Sequence, residues 1–323
     1  MDRKFSIIYT HGGGRFGNQL LRFLHWLAWV QEHGDSRCIV NIAFWPYAEF
    51  FTKWARHPGC EFPLRRSWPD LFARARTLVP IRFRPGFDWR IQRLTWALSR
   101  NLRWAGVSAL EVRDSERLQL DADSGWHGIQ HDRRIVVSGW QITCWDLIEK
   151  HAGVLRKLFE PAQSYRDRAE SFLERCREDC DVLVGLLMRQ DDYRVWNEGR
   201  YFFSSGDFAG WTAEIGSLFP GQKVGIVVTS DSVQDEAMFA MPHVTFATGS
   251  MNRGGHWFES FLELAGCDLI VSPPSTFSAC AAFLGEKPLM PLRASGQRLD
   301  LQDILRDNLV GAARDRDFGQ AVR

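Results

Sequence analysis

Two regions of the chain gather residue types able to handle an anion. Near the start, Gly12, Gly14 and Gly17 follow the short apolar run Phe5–Tyr9 and are interleaved with Arg15, Phe16, Asn18 and Gln19. Glycines at that spacing between a strand and a helix build a turn whose N–H groups face a phosphate. The arginine and the two amides add a cation and further donors at the helix start. In the second half, "DVLVGLLM" leads into Arg189-Gln190-Asp191-Asp192-Tyr193, "VGIVVTS" ends on Asp231, and "CDLIVSPP" leads into Ser275, Thr276 and Phe277. A guanidinium can grip a diphosphate with two parallel hydrogen bonds. Serine and threonine at a helix start add hydroxyls to its free N–H groups.

The glycine spacing alone matches a dinucleotide-binding turn, which also needs a carboxylate at the end of the second strand for the ribose hydroxyls. That strand here ends "NIAFWPY", and Glu32 and Asp35 both precede it. The turn is therefore read as built for another polyanionic or sugar-bearing ligand. The triplet Asp121-Ala122-Asp123 imitates a metal-binding D-x-D but follows no convincing buried strand.

The elements that must position these residues alternate. In the first half, the strand Phe5–Tyr9 feeds a helix over about residues 17–33, with Leu20, Leu24, Leu27 and Val30 on its core face. "CIVNIAFW" and "RIVVSGW" read as further strands, and "DLIEKHAGVLRKLF" as helix. After Glu160 the order is regular. Strands "DVLVGLLM", "KVGIVVTS", "HVTFAT", "CDLIVS" and "KPLMPL" alternate with helical "DFAGWTAEIGSLF", "SVQDEAMFA", "HWFESFLELAG" and "STFSACAAFLG". Such alternation with short connections predicts parallel β–α–β units, two Rossmann-like domains and a boundary near residues 160–180.

Composition sets the outer limits. The chain has 323 residues, 45% of them hydrophobic and 24% charged, with a net charge of +1, which fits a soluble globular protein and gives no general attraction to nucleic acid. Seven cysteines without a C-x-x-C pair predict free thiols, and no apolar run is long enough to span a bilayer; a cytoplasmic protein is expected. From Arg65 to Arg103 ten arginines face two acids, Asp70 and Asp88. Ile91, Leu94, Leu98 and Leu102 would share one helical face there. This segment reads either as an amphipathic helix packed on a sheet, its arginines solvated, or as a peripheral membrane contact.

Several of these motifs, taken in order, resemble those of the GDP-fucose-dependent fucosyltransferases. That superfamily includes bacterial α1,2-fucosyltransferases, nodulation α1,6-fucosyltransferases and protein O-fucosyltransferases. "GGGRFGNQLLRFL" is similar to their opening G-x-(R/L)-G-N-Q turn, and "SGWQITCWDLIEKHAGVLRKLFEP" to the segment that precedes their donor domain. "VGLLMRQDDYRVWNEGRYFF" resembles their V-G-V-H-x-R-R-G-D-Y motif, "VGIVVTSDS" their strand ending in Ser-Asp or Thr-Asp, and "SPPSTFSAC" their (S/N)-S-(T/S)-F-S turn. The chain departs from the pattern at Leu187, where the family has histidine, at Gln190, where it has a second arginine, and at Asp191, where it has glycine.

The resemblance implies a GT-B fold, with two Rossmann-like domains facing across a cleft. Residues 1–175 would form the acceptor-side domain and residues 176–323 the GDP-sugar domain. It implies metal-independent, inverting transfer of L-fucose from GDP-fucose to a hydroxyl of a glycan, a lipid-linked glycan or a protein, without a cofactor. Arg189 and Asn18 are the implied catalytic residues. Donor contacts would come from Arg15, Phe16, Gly17, Asn18, Arg189, Asp231, Ser275, Thr276 and Phe277, with Asp231 on the guanine or ribose. For an acceptor base, Asp192, Glu198, His11 and the absence of a strong base all stay open. So do two alternatives: an inactive nucleotide-sugar or glycan-binding protein, and a transferase for another nucleotide sugar on the same fold.

Overall fold

In a parallel sheet all strand ends of one kind lie along one edge, so strand order decides which loops converge on a ligand. The computed structural model describes residues 5–11, 14–33, 37–51, 78–79, 87, 90–94, 96–97, 107–113, 116–132, 134–251, 253–305 and 308–315. The chain divides into two units, Met1–Pro161 and Ala162–Arg323. An expected boundary after residue 175 would fall inside the helix Gln163–Arg177, which here belongs wholly to the second unit.

The first unit carries β1 (Phe5–His11), β2 (Arg37–Asn41), β3 (Val107–Val112) and β5 (Arg134–Gly139) in the order β2-β1-β5-β3, every pair parallel. A separate parallel pair joins β4 (Leu118–Gln119) to β6 (Ile142–Thr143). Helix α1 (Phe16–His33) follows β1, but not as the one-sided helix that Leu20, Leu24, Leu27 and Val30 suggest. Leu21, Phe23, Trp26, Ala28 and Trp29 are buried as well, together with Arg22 and His25. Apart from half-buried Asn18, only its last residues, Gln31 to His33, reach solvent. A helix apolar nearly all round is a core helix.

Asp123 accepts from the Trp126 N–H and caps α2 (Ser124–Ile129), so the D-x-D look-alike has a local structural task. The helix expected over residues 146–159 is broken at His151 into α3 (Trp145–Lys150) and α4 (Ala152–Leu158). Lys150 and His151 both bind Glu32 at 2.7 Å, tying the break to the end of α1. In the basic segment, Ile91 is buried, whereas Leu94 is exposed with Arg90 and Arg93. The shared apolar face therefore does not extend from Ile91 to Leu94, and Leu98, Leu102 and most of the segment's arginines lie outside the described residues.

The second unit opens with α5 (Gln163–Arg177). It then builds β7 (Val182–Met188), β8 (Val224–Ser230), β9 (Val244–Phe246), β10 (Leu269–Ser272) and β11 (Leu289–Pro291), ordered β11-β10-β7-β8-β9 and all parallel. Its helices are α6 (Ser205–Ser217), α7 (Trp257–Gly266), α8 (Thr276–Gly285) and α9 (Asn308–Arg314). Residues expected as a short helix at 232–240 form only a 3-10 turn, Glu236–Phe239. The central strands β7, β8 and β10 are largely apolar runs because both sheet faces are covered there: Leu186 and Val228 pack in one core with Phe208 and Trp211, while Leu183 and Val227 pack in another with Phe172 and Cys267. The chain doubles back between β7 and β10, and ligands of open α/β sheets bind at such a reversal.

Candidate functional site

Arg189 is the first residue beyond β7 and stands at that reversal. Its Nη1 lies 2.7 Å from Asp231 Oδ2, just beyond the end of neighbouring β8, and its Nη2 donates to Asp192 Oδ1 at 2.5 Å. The guanidinium sits over the Tyr193 ring, 5.1 Å from its centroid. Nε is buried and has no hydrogen-bond partner among the described residues. The cation is thus already clasped by two carboxylates.

Asp231 does more than pair with Arg189. Its Oδ1 accepts from the Gln190 N–H at 2.9 Å and from the Asp191 N–H at 3.4 Å. This carboxylate therefore anchors the loop after β7 as well as the arginine. Asp191, Asp192 and Asp231 place carboxylate oxygens within 4.8 Å of one another. One guanidinium between the two carboxylates of Asp192 and Asp231 makes that trio net negative.

Tyr193 spans the reversal. Its hydroxyl donates to the carbonyl of Pro274, in the loop after β10, and burial pushes its pKa up to about 12 despite the nearby Arg189 charge. The end of that loop and the first turn of α8 complete this side. Ser275 caps α8, its Oγ accepting from the Phe277 N–H at 3.2 Å, while Ser278 Oγ donates to the Ser275 carbonyl. Thr276 and Phe277, half-buried, form the first turn of α8. The tyrosine thus fixes the loop carrying the cation against the loop that leads into a helix N-terminus.

Gln190 points the other way. It is 5% exposed, donates to the Phe203 carbonyl at 2.9 Å and accepts from Gln234 Nε2 at 2.7 Å. Gln234 also donates to Ser230 Oγ and accepts from Ser205 Oγ. This buried amide network links the loops after β7 and β8 to the start of α6. Leu187 is buried in β7 opposite Thr229 of β8.

In the first unit the corresponding reversal lies between β1 and β5, and residues 14–17 lead from β1 into the start of α1. Gly14 has φ +71°, and a Cβ there would meet the Asn18 side chain at 2.1 Å, so this position admits only glycine. Arg15 is exposed and its carbonyl accepts from the Gln19 N–H. Asn18 is half-buried on the first turn of α1. Phe16, at 3% exposure, packs on Phe44, Tyr47 and Phe51. Its part is to seat the turn, and Gly17 is buried beside it. His11 ends β1, and its side chain lies outside the described residues.

No protein-family model matches the sequence, nor does any curated protein. Solved structures do. A FUT1 variant of Arabidopsis thaliana in complex with GDP matches with a TM-score of 0.52 and 14% identity, over 92% of this chain and 73% of that one. Fucosyltransferase NodZ from Bradyrhizobium matches with a TM-score of 0.52 and 15% identity, over 92% and 98%. NodZ α1,6-fucosyltransferase soaked with GDP-fucose matches with a TM-score of 0.50 and 16% identity, over 92% and 98%. The fold is GT-B. At such identities the likeness speaks for the fold of two Rossmann-like units, and function must be argued from the site.

The sequence-derived residues thus fall into two groups, each within one unit: Arg15, Phe16, Gly17 and Asn18 in the first, and Arg189, Asp231, Ser275, Thr276 and Phe277 in the second. Sequence reasoning gave no role to Tyr193 or Gln234. Tyr193 was visible as part of a motif, but its link to Pro274 joins loops that are far apart in the chain. The exposed turn Asn197-Glu198-Gly199 runs through three left-handed residues, with φ of 48°, 58° and 74°. Glu198 is held there.

Proposed function

We propose that this chain is a glycosyltransferase that moves L-fucose from GDP-fucose to a hydroxyl of a glycan, a lipid-linked glycan or a protein. The observation that carries the reading is Arg189 at the sheet reversal, held by Tyr193 against the loop that leads into α8. A cation and a helix N-terminus converging at a reversal suit a nucleoside diphosphate. The GT-B fold and the GDP and GDP-fucose carried by its structural neighbours support the same ligand.

In this mechanism the acceptor hydroxyl displaces GDP with inversion. Arg189 and the Ser275–Phe277 turn stabilise the negative charge that grows on the departing diphosphate, which is the main catalytic contribution. Asp231 orients Arg189 rather than reading the base. Arg15 and Asn18, at the first unit's own reversal, are that unit's residues for donor and acceptor, with Phe16 and Gly17 shaping their turn. No metal or cofactor takes part.

A thermal-shift panel of GDP, GDP-fucose, GDP-mannose, UDP and NAD tests the reading. Stabilisation by GDP and GDP-fucose is expected, unchanged by excess chelator. Stabilisation by UDP or NAD but not GDP would overturn it. A strict need for Mg²⁺ or Mn²⁺ in transfer would remove the metal-free mechanism.

A further inference from the structure

Arg189 is poorly described as a free cation awaiting a phosphate. Both of its terminal nitrogens already meet carboxylates, and these differ in how firmly they are held. Asp231 is anchored, since its other oxygen takes two backbone N–H groups. Asp192 sits on a 3-10 turn with its side chain 46% exposed, against 16% for Asp231. A diphosphate approaching Arg189 would meet a cluster that is net negative, so something must leave or be neutralised. The carboxylate best able to leave is Asp192.

We propose that Asp192 is an affinity-setting residue whose carboxylate occupies, on Arg189 Nη2, the place that a diphosphate oxygen takes when donor binds. Displaced by donor, it swings to solvent. As the spent nucleotide leaves, carrying the extra charge of the broken bond, Asp192 returns to Arg189 and competes for it. No bond to Asp192 forms or breaks in the transfer itself. Asp231 stays in place through both states and keeps the guanidinium aimed.

This inference rests on reading Arg189 as the donor's cation, and the test separates the two. Titration calorimetry of the full chain with GDP and, separately, with inorganic pyrophosphate compares wild type with Asp192→Asn, Asp192→Ala and Asp192→Glu. A charge-change control, Glu174→Gln, alters an exposed carboxylate on α5. Removing the competitor should tighten both ligands in Asn and Ala by roughly two- to fivefold, the size expected of one half-exposed ion pair. Glu, which restores a carboxylate, should bind closer to wild type, and the control should not change. The tightening should shrink in high salt. Tightening for pyrophosphate but not GDP would support the role of Asp192 and sink the GDP reading. Unchanged or weaker binding of both ligands in Asn and Ala would overturn the role of Asp192. So would nucleotide binding by wild type only with Mg²⁺ that Asp192→Asn abolishes, because the acidic cluster would then be a cation site.

Discussion

Replacing Arg189 by lysine would keep a positive charge at the end of β7 but not the planar fork that reaches Asp231 and Asp192 together. Because its interaction with the diphosphate strengthens as the sugar departs, Arg189→Lys should lose far more turnover than donor affinity. The loss of one such electrostatic contact costs about 3 kcal/mol, on the order of a hundredfold in rate. Turnover and GDP-fucose affinity, measured together, decide it; near wild-type turnover would remove Arg189 from the chemistry. Gln190 occupies the place of a second arginine in the motif, yet the structure makes it a buried staple. Gln190→Ala would strip partners from the Phe203 carbonyl and from Gln234, and should lower stability by about 1–3 kcal/mol. Donor affinity should change little in the folded protein. A melting temperature equal to wild type would show that the network does not hold the loop.

At the scale of elements, the second unit was more fully legible than the first, where β1, α1, β2 and β5 could be read but β3 could not. The central strands of the second unit, β7 and β8, are apolar runs closed by polar residues, as buried parallel strands tend to be. By contrast, β3 ("VSALEV") of the first unit shows mostly half-buried positions, and in the second unit α5 buries only Ala169 and Phe172, so neither stands out as an apolar run. The site residues could be ranked from their positions at strand ends. Their partners could not, because Asp231 reaches Gln190 across 41 positions and Tyr193 reaches Pro274 across 81. Another such link sits on α7. Glu263 accepts from the Thr248 N–H at 2.8 Å and from the Thr248 hydroxyl, pinning the loop after β9, whose Ser250 Oγ accepts from the Ser230 N–H. Burial raises the Glu263 pKa to about 7 from 4.5, with Glu259 adding to the rise, while the Thr248 hydrogen bonds and Arg175 oppose it. The folded state therefore binds more protons than the unfolded state between these values, and stability falls as pH rises through that window. Relative to Glu263→Gln, wild type should lose on the order of 2 kcal/mol between pH 4.5 and 7.5. Parallel stability curves for the two proteins across that range would contradict it.

The whole molecule is two units, each with its own parallel sheet, and the resemblance assigned one side of the reaction to each. No helix among the described residues is long and apolar enough to cross a membrane. The second unit has the means to fold alone. Its five strands are paired among themselves, and its main core, from Val184 and Leu186 through Phe208 and Trp211 to Leu292, is drawn from its own residues. Its length is that of an ordinary independent domain. Arg189, Asp192, Tyr193, Asp231 and the Ser275–Phe277 turn all lie within it, and every hydrogen bond described among them is internal to it. If these residues hold the diphosphate, a fragment of residues 162–323 should fold and bind GDP within about tenfold of the full chain, a loss of no more than about 1.4 kcal/mol. It should transfer no fucose, because Arg15 and Asn18 are absent. Calorimetry on the fragment, with its fold verified by circular dichroism, makes the comparison. A folded fragment that binds no GDP while the full chain does would mean that the first unit supplies the decisive donor contacts, moving the weight of the site from Arg189 to the glycine turn.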